Sequence, residues 1–312
     1  MSQKSIAVTG AGGFLGRAVV EELARSGWTV TAITRAGDTI LGAHRNVAAG
    51  DLLLADLAAL THGYDALVNC AARVHVMQRE SSAQAELLFK RANADFPLNL
   101  AVAAKAAGVR RFVQISSVAA LVSVSPKDQR IGDAVAPEPD TPYGRAKLAA
   151  DLLIDELADD NFRPISLRPP AVYGPGVEAY FAMLMRLANK GILMPLPTTN
   201  RRSFIYLENL ASAIAVAAAS ERTGAYVVTD SEPISVADLY GRLTRLFGRG
   251  NRAVGLPGQI LKRIYPLALG RRARSLVGDA AFDGTRFAHH HAWQPPFTLD
   301  DGLRRTVREF AS

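Results

Sequence analysis

Short apolar runs alternate with amphipathic stretches through the first half of the chain. Ser5–Thr9 is continuously apolar at its centre, as a strand buried on both faces requires. Residues 14–26 carry apolar positions at helical spacing, and Gly27 suits their termination. Thr29–Thr34 predicts a second strand and 67–70 a third. The alanine-rich stretch 93–107 predicts a helix that stops at Gly108. A strand is expected at 112–116, a helix at 143–157 and another strand at 164–167. Strands and helices in alternation predict βαβ units around a parallel sheet. The expected fold class is α/β, a Rossmann-like doubly wound parallel sheet with a smaller C-terminal substrate-binding lobe.

The rhythm breaks after Arg168, where Pro169, Pro170, Pro175, Pro195 and Pro197 punctuate the chain. A helix is predicted at 179–190 and a strand at 226–229. The expected organisation is a dinucleotide-binding lobe over 1–173, to which 207–229 returns, and a second lobe built from 174–206 and 230–312.

Composition narrows the class. Of 312 residues, 49% are hydrophobic and 21% charged, enough for a sizeable core and against disorder. No stretch of 18 apolar residues runs uninterrupted by charge, and the N-terminus enters a strand at once, so neither a membrane span nor a secretory leader is expected. The single cysteine, Cys70, excludes an internal disulfide and a cysteine-based zinc site. The reading is of a soluble, cytoplasmic protein. The net charge of +7 is spread along the chain rather than gathered in a basic block with aromatics, which argues against nucleic acid. A small phosphorylated partner fits better, since a few arginines suffice for a diphosphate.

The segment Thr9-Gly10-Ala11-Gly12-Gly13-Phe14-Leu15-Gly16 joins the first strand to the first helix. Gly10, Gly13 and Gly16 are spaced for a sharp turn, a close backbone approach to a pyrophosphate and tight helix–strand packing. The helix N-terminus adds partial positive charge. The second strand ends in Thr34-Arg35, where an NAD enzyme usually carries an acid for the ribose hydroxyls. A guanidinium there pairs with a 2′-phosphate, so NADP is the leading cofactor and NAD the alternative. Asp51-Leu52 stands where a carboxylate can meet the adenine amino group.

Tyr143 and Lys147 are four residues apart at the start of a helix, with Thr141 as cap and Pro142 in its first turn. That spacing puts both on one face. A nearby ammonium favours the phenolate, which equips Tyr143 for proton exchange with a hydroxyl or carbonyl. Ser117, at the carboxyl end of the 112–116 strand, can bond the same oxygen.

Together these residues resemble the extended short-chain dehydrogenase/reductase family, in its NAD-dependent epimerase/dehydratase branch, across nearly the whole chain. Thr9–Gly16 is similar to its TGxxGFLG motif, and Ser117, Tyr143 and Lys147 match its catalytic residues. By that resemblance the cofactor is held by Gly10, Gly12, Gly13, Phe14, Leu15, Gly16, Thr34, Arg35 and Lys147. Asn69-Cys70-Ala71-Ala72 is similar to the strand end that flanks the nicotinamide, and Asn93 to the helix asparagine that supports the site. Residues 168–176 resemble its RPxxVYGPG segment. Residues 202–207 resemble the run whose arginine, here Arg202, holds a nucleotide diphosphate. Within the branch the chain most resembles bacterial UDP-sugar 4-epimerases and UDP-4-keto-sugar reductases of surface-polysaccharide synthesis, including makers of UDP-N-acetylquinovosamine. The resemblance implies a UDP-sugar substrate bound by Ser117, Tyr143 and Arg202. A homodimer is one outcome among oligomeric states that the sequence leaves open.

Two departures matter. Val118-Ala119 stands where sugar 4,6-dehydratases carry Asp-Glu, so elimination of water lacks its acid and base. Ala120-Leu121-Val122 replaces the usual Tyr-Gly of a loop that touches substrate in the family. Arg35 favours a reductase using exchangeable NADPH over an epimerase retaining NAD. A reductase of a non-nucleotide ketone and a non-catalytic NADP sensor are further readings, and the presence of both Tyr143 and Lys147 weighs against the sensor. His289-His290-His291 points its side chains in different directions and predicts no metal site. Arg271–Arg274 adds to a diphosphate pocket or forms a solvated face.

Overall fold

The computed structural model describes residues 4–74, 82–230, 232–256, 260–261 and 278–311. Its first elements are β1 (Ser5–Thr9), α1 (Phe14–Arg25), β2 (Thr29–Thr34), β3 (Arg45–Ala48), α2 (Leu57–Thr61), β4 (Ala66–Asn69), α3 (Ser82–Lys90), α4 (Phe96–Ala106) and β5 (Arg111–Ile115). There follow α5 (Pro142–Asp155), β6 (Arg163–Arg168), β7 (Ala171–Tyr173), α6 (Ala179–Asn189), β8 (Met194–Pro197), β9 (Phe204–Tyr206) and α7 (Leu207–Ala219). The last are β10 (Gly224–Val227), α8 (Val236–Leu246), β11 (Ala253–Leu256), α9 (Thr285–His290) and α10 (Leu299–Ala311).

Seven strands form one sheet in the order β10-β6-β5-β4-β1-β2-β3, every pair parallel. The order reverses between β1 and β4. Ligands of doubly wound sheets bind outside the carboxyl ends at such a point. Side-chain alternation splits each strand between two cores. Ile6, Val8, Ala66 and Val68 face α1 and α7, with Val20, Leu23, Leu210 and Ile214 opposite. Ala7, Leu67 and Phe112 face α4 and α5, with Leu100, Ala104 and Ile154 opposite. The chain is therefore the α/β, Rossmann-like sheet that the alternation predicts. The short β3 at the edge lies outside that reading, because its RNVA sequence has too little apolar content to show a period.

A third core joins α6, α8 and α10 through Leu184, Met185, Leu239, Tyr240, Leu243 and Leu303. Tyr173 and Tyr206, paired at 5.5 Å between ring centroids, belong to it too. β7 and β9 pair with each other, as do β8 and β11. α7 packs on α1, and β10 takes the sheet edge beside β6.

The helix expected at 93–107 divides. Residues 91–95 form a π-helical turn between α3 and α4. Such turns cost hydrogen-bond geometry and gather at functional sites. Here the turn contains Asn93, which is fully buried.

Candidate active site

The glycine turn has the shape that a pyrophosphate needs. Gly10 has a φ of +68°, and a Cβ there would stand 2.7 Å from the Ala71 amide nitrogen. A Cβ on Gly16 would stand 2.1 Å from the Gly10 carbonyl oxygen, so α1 can start this close to β1 only with glycine there. The Gly13 amide donates back to Gly10 at 3.0 Å and closes the turn. The backbone amides at the α1 N-terminus form a donor set that suits a dinucleotide phosphate. Arg17, which the sequence reading passed over, donates from Nε to the Gly12 carbonyl at 3.0 Å and braces the turn. Phe14 lies beside Gly176, linking the turn to the segment after β7.

The floor beneath the turn is a chain of amides. Thr9 donates to Asn69 Oδ1 at 2.7 Å, and Asn69 Nδ2 donates to Gln114 Oε1 at 2.8 Å. Asn69 also accepts from the Ala71 amide, which sets the Cys70-Ala71-Ala72 strand end against the turn. Burial pushes the Cys70 thiol up to about 12, so it is a neutral lining group. Asn93 sits behind this strand end. It donates to the Arg73 carbonyl at 2.9 Å and accepts from the Arg73 amide at 3.1 Å. By the resemblance Asn93 supports the site, and here both ends of its amide bond the Arg73 backbone and hold the loop after β4.

At the end of β2, Thr34 Oγ1 accepts from the amides of both Gly37 and Asp38 at 2.9 Å. This turn brings Asp38 alongside the glycine turn, where a Cβ on Gly12 would stand 3.9 Å from Asp38 Oδ2. Arg35 is exposed next to it. Asp38 escaped the sequence reading because it lies four residues past the strand, beyond the position where an acid is expected. Asp51 is exposed and accepts from the Leu53 amide at 3.0 Å, while Leu52 packs on the α4–α5 core.

The chemistry-bearing cluster forms where β5 meets α5. Thr141 caps α5 through a 3.0 Å bond from the Gly144 amide. Tyr143 is half-buried and packs edge-on against Phe89 at 5.9 Å. Lys147 is 1% exposed, and its Nζ donates to the Ile115 carbonyl at 2.7 Å while standing 5.8 Å from the Tyr143 ring centroid. Ser117 faces the Tyr143 phenol, and its Oγ accepts from the Ala119 amide at 3.2 Å. Burial raises the Tyr143 phenol to about 12, and Ser117 partly offsets the rise. Burial lowers the Lys147 ammonium to about 8, with Asp151 and Cys70 opposing. The sequence reading expects Lys147 to favour the phenolate. Burial acts in the opposite direction and raises the phenol, so Tyr143 is a protonated acid at neutral pH.

Beyond Ser117 a cavity of about 180 Å³ is lined by Val118, Ala119, Val122, Ala171, Arg202 and Phe282, among others. Arg202 donates from Nη1 to the Gly278 carbonyl at 3.1 Å, and the Asp279 carboxylate acts on it electrostatically. Burial lowers its guanidinium from the ordinary value. Leu121 is buried with Ile131, Val227 and Phe282, so the departure at 120–122 serves mainly to pin this loop. Arg271–Arg274 lies outside the described residues. His289, His290 and His291 end α9 or follow it, with His291 stacked on Phe287 at 4.5 Å. No helix among the described residues is long and apolar enough to cross a membrane.

The NAD dependent epimerase/dehydratase family matches residues 6–229, from β1 to just past β10. The chain belongs to that family. A UDP-glucose 4-epimerase of Vibrio cholerae is 30% identical over 98% of this chain and 95% of its own length. Among solved structures, a UDP-N-acetylglucosamine 4-epimerase from Methanobrevibacter ruminantium M1, in complex with UDP-N-acetylmuramic acid, superposes with a TM-score of 0.80. It covers 100% of this chain and 99% of that one at 21% identity. MoeE5 in complex with UDP-glucuronic acid and NAD gives a TM-score of 0.78 at 23% identity, over 98% and 99% of the two chains. Both structures share the fold.

Proposed function

We propose that the chain is a nucleotide-sugar oxidoreductase working between NAD(P) and C4 of a UDP-hexose, as an NADPH-dependent reductase of a UDP-4-keto sugar. The observation that carries the reading is the meeting of Ser117, Tyr143 and Lys147, with the residues that follow Ser117, Val118 and Ala119, lining a cavity together with Arg202. The names of the Vibrio relative and the ligands of MoeE5 support the substrate class.

When bound, NAD(P) supplies the hydride. The glycine turn and α1 N-terminus hold its pyrophosphate, and Lys147 holds a ribose hydroxyl. Ser117 donates a hydrogen bond to the sugar C4 oxygen. Tyr143, protonated and desolvated, gives that oxygen its proton as the ketone becomes an alcohol. Lys147 places positive charge near the phenol as its proton leaves. Arg202 pairs with the diphosphate through charge-assisted hydrogen bonds. The apolar Val118 and Ala119 offer no group to eliminate water, so reduction stops at the alcohol.

A second reading, a UDP-hexose 4-epimerase that retains NAD, draws on Asp38. Its carboxylate beside Gly12 suits a ribose diol better than a 2′-phosphate. The two readings part on the nucleotide released when purified protein is denatured, and on the consumption of added NADPH with a UDP-4-keto-6-deoxyhexose. Stoichiometric NADPH consumption supports the reductase. Released NAD with no NADPH consumption supports the epimerase. A protein that binds NADP and turns over neither substrate is a sensor.

A further inference from the structure

Asp151 is buried and stands one helical turn beyond Lys147 on the same face of α5. Tyr143, Lys147 and Asp151 thus form a stripe at i, i+4 and i+8. Arg168, at the end of β6, donates from Nε to Asp151 Oδ2 at 2.8 Å, with both side chains under 10% exposed. Ser116 donates from Oγ to the same oxygen at 2.9 Å. The two serines after β5 therefore divide by alternation. Ser117 faces Tyr143, while Ser116 points back and fixes Asp151.

We infer that Asp151, locked by Arg168 and Ser116, is a positioning residue that keeps the proton on both Tyr143 and Lys147, and so sets the alkaline limit of turnover. The inference rests on the proposed roles of Tyr143 and Lys147. A buried carboxylate near two titrating groups disfavours proton loss from either. The electrostatics run in that direction, since Asp151 raises the affinity of both Lys147 and Tyr143 for their protons. Without it, burial acts on Lys147 against the smaller Cys70 contribution only, and drives its ammonium towards neutrality. The other groups facing the pair do not replace it. Cys70 on the β4 side acts on Lys147 in the same direction but less than Asp151, its thiol being neutral at neutral pH, and Ser117 is uncharged. Arg73 lies beyond the Phe89 ring, 5.8 Å from its centroid. Arg168 alone carries the wrong sign.

The sign follows directly. Removing the negative charge lowers both proton affinities, so the alkaline limb moves to lower pH. The test is Asp151→Asn, read by the pH profile of kcat and by carbon-13 NMR titration of labelled lysines. With seven lysines in the chain, the Lys147 signal is assigned by its loss in Lys147→Met. The expected result is a Lys147 midpoint near 8 in the wild type, as its burial indicates, and lower by about one pH unit in the variant. The alkaline limb of kcat falls with it, and Asp151→Glu restores both. If Asp151→Asn fails to fold because Arg168 is left unpaired, the double variant D151N/R168Q removes that charge as well and is expected to shift the Lys147 midpoint in the same direction by a smaller amount, since the Arg168 cation no longer adds to the effect. An unmoved Lys147 midpoint in the folded variant overturns the inference, as does an unmoved alkaline limb with intact turnover. Because the NMR arm needs no substrate, failure to reduce a UDP-sugar sinks the functional reading without touching it.

Discussion

Gly144 lies so close to Ala119 that a Cβ would stand 2.2 Å from the Ala119 carbonyl oxygen. This contact lets the first turn of α5 reach the short turn after Ser117, and so brings Tyr143 to the serine. Gly144→Ala is expected to separate the two and to lower kcat at least about tenfold, with the overall fold retained. Circular dichroism and steady-state kinetics check it.

Tyr143→Phe removes the proton and keeps the ring that packs on Phe89. Turnover is expected to fall by about 10²–10⁴-fold, the usual contribution of a general acid. Cofactor affinity, measured by fluorescence titration, stays within about twofold of wild type.

Arg202→Ala removes the guanidinium from the cavity beyond Ser117. Charge-assisted bonds to a diphosphate contribute about 1.5–3 kcal/mol each, so KM for the UDP-sugar is expected to rise roughly ten- to a hundredfold. KM for the cofactor is expected to stay near its wild-type value.

On the proposed reading, Arg35 and Asp38 act in opposite senses on the adenosine ribose. Arg35→Ala is expected to weaken NADP binding and leave NAD binding unchanged, with a smaller loss at high salt because Arg35 is exposed. Asp38→Asn is expected to tighten NADP relative to NAD. Dissociation constants for both cofactors at two ionic strengths check the pair.

The sheet was legible because its strands are short and apolar, and because glycines mark the turn where β1 gives way to α1. Tyr143 and Lys147 were legible from their spacing on a capped helix. Asp38 and Asn93 were harder to read. The position of Asp38 depends on two bonds from Thr34, and the role of Asn93 depends on a π-turn that apolar periodicity does not encode. Asp151 looks like an ordinary polar helix residue until β6 delivers Arg168 to it. The region around α6, α8 and α10 was legible only in outline. Its strands are three or four residues long and pair with partners distant in sequence, as β7 does with β9.

The account stands on a hydride reaching C4 of a keto-sugar while Tyr143 supplies the proton. The direct measurement is the product formed from a UDP-4-keto-6-deoxyhexose and NADPH carrying deuterium at its transferable C4 position, analysed by NMR and mass spectrometry. The predicted result is one deuterium at sugar C4 for each NADP formed, on a single face, and none with Tyr143→Phe. Product lacking deuterium at C4, or full labelling by the Tyr143→Phe variant, contradicts it.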